Sequence, residues 1–341
     1  MEIYDLHAAL RAGSLASLPP AALTPAVLTA RNAAGNTPLH VAAKSGRLRE
    51  LPAAVLTAET LAAKNDAGYT PLHHAAIGGH LDQIPAGLLN ADSLEIRSNA
   101  GYTVLHLAAA HGHLGQIPRE MLTADAAVRR TDVGNTLLHE AAENGALDRL
   151  PAEYLTPENL GLKNIGGETV LHVAAFNGHL NQVPAALLTE VALREPTSAG
   201  DTVFHSAAIS GHLEQVPAAL LKHDNLVLAS KSGFTAIHAA AETGQLIKIP
   251  RAQLTPDLLL TRNDNGDTPL HAAAFEGHLD QVPEELLTST RVNTRNYDGM
   301  TVARLALDRG FLQQIPEGAR PKTMGPIRRF LHNLGRSKAP F

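Results

Sequence analysis

The apolar positions of this chain fall into one short pattern that returns every 33 residues. From Gly35 it reads Gly-Asn-Thr-Pro-Leu-His-Val-Ala-Ala-Lys-Ser-Gly46, which sets Leu39, Ala42 and Ala43 on one face at helical spacing with polar residues between them. Thr37 predicts a helix N-cap, and Pro38 suits the first helical position because no partner is needed there for its missing N–H. His40, at the third position, can bond the threonine hydroxyl or the exposed backbone as Glu does in a capping box. Gly46 predicts a left-handed stop. Leu48 and Leu51 then form an apolar pair on one short turn, and Pro52-Ala-Ala-Val-Leu56 reads as the opening of a second, short helix. Thr57, like Thr156-Pro-Glu and Thr255-Pro-Asp further on, is another N-cap signature with an acid in the first turn. Each unit is therefore predicted to hold one helix of about eight residues and two shorter helical pieces, closed by a polar loop such as 64–68.

The period does not slip. The threonine recurs at Thr37, Thr70, Thr103, Thr136, Thr169, Thr202, Thr235, Thr268 and Thr301, with Tyr4 one period before the first. The glycine recurs from Gly13 to Gly310, a leucine follows it two residues later, and a proline recurs from Pro19 to Pro316. Helices this short are unstable alone, so their apolar faces must be covered by the units on either side. The expected fold is all-α: a helical solenoid of about ten units over residues 1–318, starting near 4, 37, 70, 103, 136, 169, 202, 235, 268 and 301, with a long concave face. A tail, 319–341, follows.

Composition sharpens this. There are no cysteines, which removes disulfides and thiolate metal sites and suits a reducing, cytoplasmic compartment. No apolar run reaches transmembrane length, and the N-terminus lacks the pattern of a secretory signal. Charge is uneven: six of the 28 Lys and Arg lie in the last 22 residues, beyond every acid, which leaves the body with 22 positive against 33 negative side chains. An acidic body argues against nucleic acid as a partner. Neither a nucleophile elbow, a phosphate-binding glycine loop nor a His-Glu-x-x-His motif is present, so no enzyme activity and no cofactor are expected.

Eight of the 18 histidines sit in the Thr-x-x-His frame, from His40 to His271. Equivalent histidines on packed helices are about 8–10 Å apart, whereas ligands of one zinc ion lie about 2 Å from it. These histidines, and the Gly-His series from His80 to His278, are therefore read as structural. Glu140 and Glu143 are read as a solvated face.

The frame Gly-x-Thr-Pro-Leu-His-x-Ala-Ala-x-x-Gly-His, seen in Gly35–Gly46, Gly68–His80 and Gly266–His278, resembles the ankyrin repeat. The second half, Leu-x-x-Ile/Val-Pro-x-x-Leu-Leu-Thr, departs from that family's longer second helix and turn, so an all-helical variant with a proline-broken second helix is expected. In the last copy Arg304 replaces the motif histidine, as suits a terminal unit. The resemblance implies a non-enzymatic scaffold that grips a protein partner on its concave face.

Function is sought where the frame holds and the residue varies. Before the threonine stand Tyr69, Tyr102, Phe234 and Met300; before the helix-ending glycine stand Ile77, His111, Glu143, Asn144, Phe176, Asn177, Ile209 and Phe275. Scarce aromatics at such places suit interface anchors. In the tail, Ile327, Phe330, Leu331 and Leu334 fall at helical spacing over 326–334 beside Arg328 and Arg329. That segment reads either as a cap over the last unit or as a partner or anionic-membrane contact, the only membrane contact expected. The resemblance to ankyrin-like arrays, taken with this basic tail as a targeting element, implies a second reading: a bacterial effector directed at a host, exported without a classical signal, or a membrane-associated adaptor.

Overall fold

The computed structural model describes residues 6–12 and 25–321. The tail residues singled out above, Ile327, Arg328, Arg329, Phe330, Leu331 and Leu334, lie outside the described residues. Ten inner helices follow in chain order: α1 (Leu6–Ala12), α2 (Pro38–Lys44), α3 (Pro71–Gly78), α4 (Val104–Ala110), α5 (Leu137–Glu143), α6 (Val170–Phe176), α7 (Val203–Ser210), α8 (Ala236–Glu242), α9 (Pro269–Glu276) and α10 (Val302–Arg309). Each packs on the next, so they form one continuous layer. Their Leu-x-x-Ala-Ala faces are wholly buried, as at Leu171, Ala174 and Ala175.

A second layer of short turns covers the other side. After α6 come 3-10 turns at Leu180–Gln182 and Ala185–Leu187 and a one-turn helix at Glu190–Leu193. The short helical piece expected after the proline is a single 3-10 turn, with the proline just before it. Pro184 has φ −52° and ψ 127°, an extended backbone that precedes a single 3-10 turn and breaks the segment in two. The helix restarts only at Thr189, whose hydroxyl accepts from the Ala192 N–H. Most repeats thus hold one helix of seven or eight residues and three short pieces, while the repeat of α3 holds two short pieces, Leu81–Gln83 and Ala91–Leu94. No strands form among the described residues. The hairpin is reduced to isolated antiparallel bridges such as Lys163↔Thr169 and Arg295↔Thr301.

The motif histidine does more than cap its own helix. Thr169 N–H donates to His172 Nδ1 (3.2 Å), and His172 Nε2 meets the Asp201 carbonyl of the next repeat (3.1 Å). A backbone N–H can only donate, so Nδ1 is the acceptor and the proton sits on Nε2, which donates to the carbonyl. The same link joins His40 to Tyr69, His73 to Tyr102, His139 to Glu168 and His271 to Met300. Arg304, which stands in the place of this histidine in α10, donates to Asp308 on its own helix.

Two further ladders run along the stack. Gln182 Nε2 donates to the Gly145 carbonyl (2.7 Å) while its Oε1 accepts from the Leu147 N–H (3.0 Å), and Gln83, Gln116 and Gln314 do the same. On the loop edge, Arg31, Lys64, Arg97, Arg130 and Lys163 each donate to a carbonyl 33 residues on. The Gly-His histidines close the packing. A Cβ at Gly178 (φ 75°) would lie 2.8 Å from the His212 ring, so glycine serves both the left-handed turn and the next repeat's approach. Side-chain bonds between repeats thus replace the longer second helix that this segment lacks.

Candidate functional face

The inner helices turn one side away from the second layer, and on this open face the variable positions form rows. In the first row Tyr69, Tyr102, Phe234 and Met300 are half-buried, and the carbonyl of each receives the preceding repeat's histidine. Their rings lie over the capping histidines: Tyr69 is 5.5 Å from His73, Tyr102 6.2 Å from His106 and Phe234 5.4 Å from His238. These aromatics are thus held by the frame with one edge left to solvent, as a rigid contact side chain should be.

In the second row His111, Glu143 and Asn144 are exposed, Ile209 is 45% exposed, and Ile77, Phe176 and Asn177 are half-buried. Asn177 bonds back to the Val173 carbonyl. Phe275 is covered by its neighbour: the Arg309 guanidinium lies 3.8 Å from its ring centroid and also donates to the Phe275 carbonyl. Phe275 therefore presents a cation-capped ring rather than a bare one.

Glu140 corrects the solvated-face reading. It is only 3% exposed, and its Oε1 accepts from Asn135 Nδ2 (3.0 Å). Its position follows the motif histidine and is buried also at Leu107 and Ala239, and half-buried at Val41, His74, Val173 and Ser206. Burial pushes its carboxyl up to about 7. In the unfolded chain the carboxyl ionises from about 4.5, so stability is lost as pH rises from there through 7, on the order of 3 kcal/mol. Glu140→Gln keeps the Asn135 bond and removes the charge. Urea denaturation should show the variant more stable by about 2–3 kcal/mol at pH 8 and equal to the parent near pH 4.5; a variant no more stable at pH 8 would refute the buried-carboxyl account.

The loop edge, not singled out from the sequence, adds exposed apolar tips. Ile165 is 73% and Val133 52% exposed, and they are neighbours, since Ile165 N–H donates to the Val133 carbonyl. Tyr297 packs over Gly266 with Arg262 6.0 Å from its ring. A signal existed: the residue after the loop's Asn, Thr or Ser is polar in most copies but Ile165 and Tyr297 in two. No cluster of three or more His, Asp or Glu with metal-binding geometry occurs among the described residues, and no helix there is long and apolar enough to cross a membrane.

Comparison with known families agrees with this architecture. A model of ankyrin repeats in three copies matches residues 105–190 and 171–252, and a model of the single ankyrin repeat matches residues 265–297. No curated protein matches the chain.

Proposed function

The chain belongs to the ankyrin repeat family, a family of protein-interaction modules, and from that premise we propose that it is a non-enzymatic adaptor that grips a protein partner on its open face. The observation that carries this reading is the division of labour within each repeat. Thr, His, Gly and Gln are consumed by bonds within and between repeats, as Thr169, His172, Gly178 and Gln182 show. The open-face positions vary and hold Tyr69, Tyr102, Phe176, Ile209 and Phe234 with surface to spare. Such half-set aromatics lose little entropy on binding and suit the centre of an interface.

Phe176 and Ile209 are adjacent in the row and lie off the buried Leu-Ala-Ala face. The double variant Phe176→Ala/Ile209→Ala should keep the parent's circular dichroism and urea midpoint. It should weaken a partner identified by proximity labelling in the native cell by about ten-fold or more in a purified binding assay, as expected for loss of two anchors. Unchanged affinity for that purified partner would remove the open face as its site.

A further inference from the structure

The open face carries acids with few bases beside them. From α5 onward it holds Glu140, Glu143, Glu168, Asp201, Glu242 and Glu276, while the bases at equivalent positions of this half reduce to Arg309, which lies on Phe275. None of these six acids has an ion pair among the described residues. On the second layer Asp82 pairs with Arg49, Glu153 with Arg119 and Glu285 with Arg251, each across to the neighbouring repeat. The uncompensated charge is felt locally. Burial and then Glu276 push the Glu242 carboxyl up, and burial and then Glu140 push the Tyr102 phenol up. Glu140 lies beneath this face, 3% exposed and held by Asn135, so the exposed or half-buried acids Glu143, Glu168, Asp201, Glu242 and Glu276 are the ones a guest can reach. Between the acids stand Phe176, Ile209 and Phe234.

We propose that the open face of repeats five to nine docks a cationic protein segment, one carrying Lys or Arg at one-repeat spacing with apolar residues between. This deepens the adaptor reading and rests on it. Packed helices are about 8–10 Å apart, and an extended chain rises about 3.3–3.6 Å per residue, so a base at every third residue keeps step with the acids. A guest ammonium or guanidinium would lie against the aromatic faces as well as the carboxylates.

The test uses the full chain and a fluorescein-labelled peptide with Arg at every third position and Leu and Ser between, alongside the same peptide with Glu for Arg. Fluorescence anisotropy at low salt should show saturable binding of the Arg peptide, weakening steeply with added salt, and none of the Glu peptide. Glu143→Lys/Glu242→Lys should weaken it about ten-fold or more, while Glu153→Lys/Glu285→Lys, the same charge change on the second layer, should leave it within about two-fold. All four side chains are exposed, and the isosteric Glu143→Gln/Glu242→Gln pair serves if the lysines disturb folding. Equal loss in both charge-reversed pairs, no loss in the first, or no binding by the parent overturns the proposal. If a partner depends on Phe176 and Ile209 yet binds the Glu143→Lys/Glu242→Lys protein normally, the adaptor reading stands and the cationic-segment reading falls.

Discussion

Lowering the pH from 7 to 5 is expected to remove on the order of 10 kcal/mol from the stability of the folded array. His73, His106, His139, His172 and His238 are almost fully buried, and burial depresses each to about 4, against a weaker opposing contribution from the carbonyl that each Nε2–H meets. In the unfolded chain the same imidazoles take up protons near 6.5. The unfolded state therefore binds more protons throughout the window between about 6.5 and 4, and stability present above the unfolded value is lost as pH falls through it. At pH 5 each residue accounts for about 2 kcal/mol. The structural cause is specific. A proton on Nδ1 would face the Thr169 N–H, or its equivalent at His73, His106 and His139, and break the capping box from within. Glu140 moves the other way, but it is one group against five. Since whole domains are stable by only about 5–15 kcal/mol, the urea midpoint should fall steeply from pH 7 to pH 5 with loss of helical circular dichroism near the lower end. A midpoint flat across this range would show that the histidines are not held neutral as the geometry requires.

The elements that act within one repeat were legible from residues alone. Thr37, His40 and Gly46 announce cap, capping-box partner and stop by local chemistry, and the structure places all three so. What was not legible acts between repeats. The second bond of His40, to the Tyr69 carbonyl 29 residues on, depends on how helices stack. Gln83 and Gln182 recur in phase but stand among exposed polar residues, and only the juxtaposition of neighbouring turns shows that each closes a pair of backbone bonds. Proline suits both a helix start and an extended link, and Pro52 serves as the extended residue before the 3-10 turn Ala53–Val55. The choice was settled by Thr57, five residues on, which caps the helix that does form. On the open face the rows were found, but the accessibility of each member depends on the next repeat. Arg309 covers Phe275, while Asp267, at the same position before the threonine as Phe234, is buried and held by Asn296.

Phe204→Ala should cost about 3–5 kcal/mol and divide the array in two. Phe204 is the one aromatic at a position otherwise held by smaller residues such as Leu171, Ile237 and Leu270, and it is completely buried on α7. It lies where α7 packs on both α6 and α8, so truncation leaves a cavity at two interfaces at once. In a globular domain such a loss lowers one cooperative transition. Here each repeat touches only its neighbours, so stability is close to a sum of repeat and interface contributions, and a weak interface in the interior uncouples what lies on either side. Urea denaturation followed by circular dichroism should change from one transition to two. Hydrogen exchange should report that α8 to α10 open separately from α2 to α6. The ladders bear on the size of the effect, because the Gln215 and Gln245 bonds across repeats six to eight remain and resist separation without filling the cavity. One shifted but still single transition would mean that these backbone-directed bonds, rather than the apolar faces, set the cooperativity of the stack.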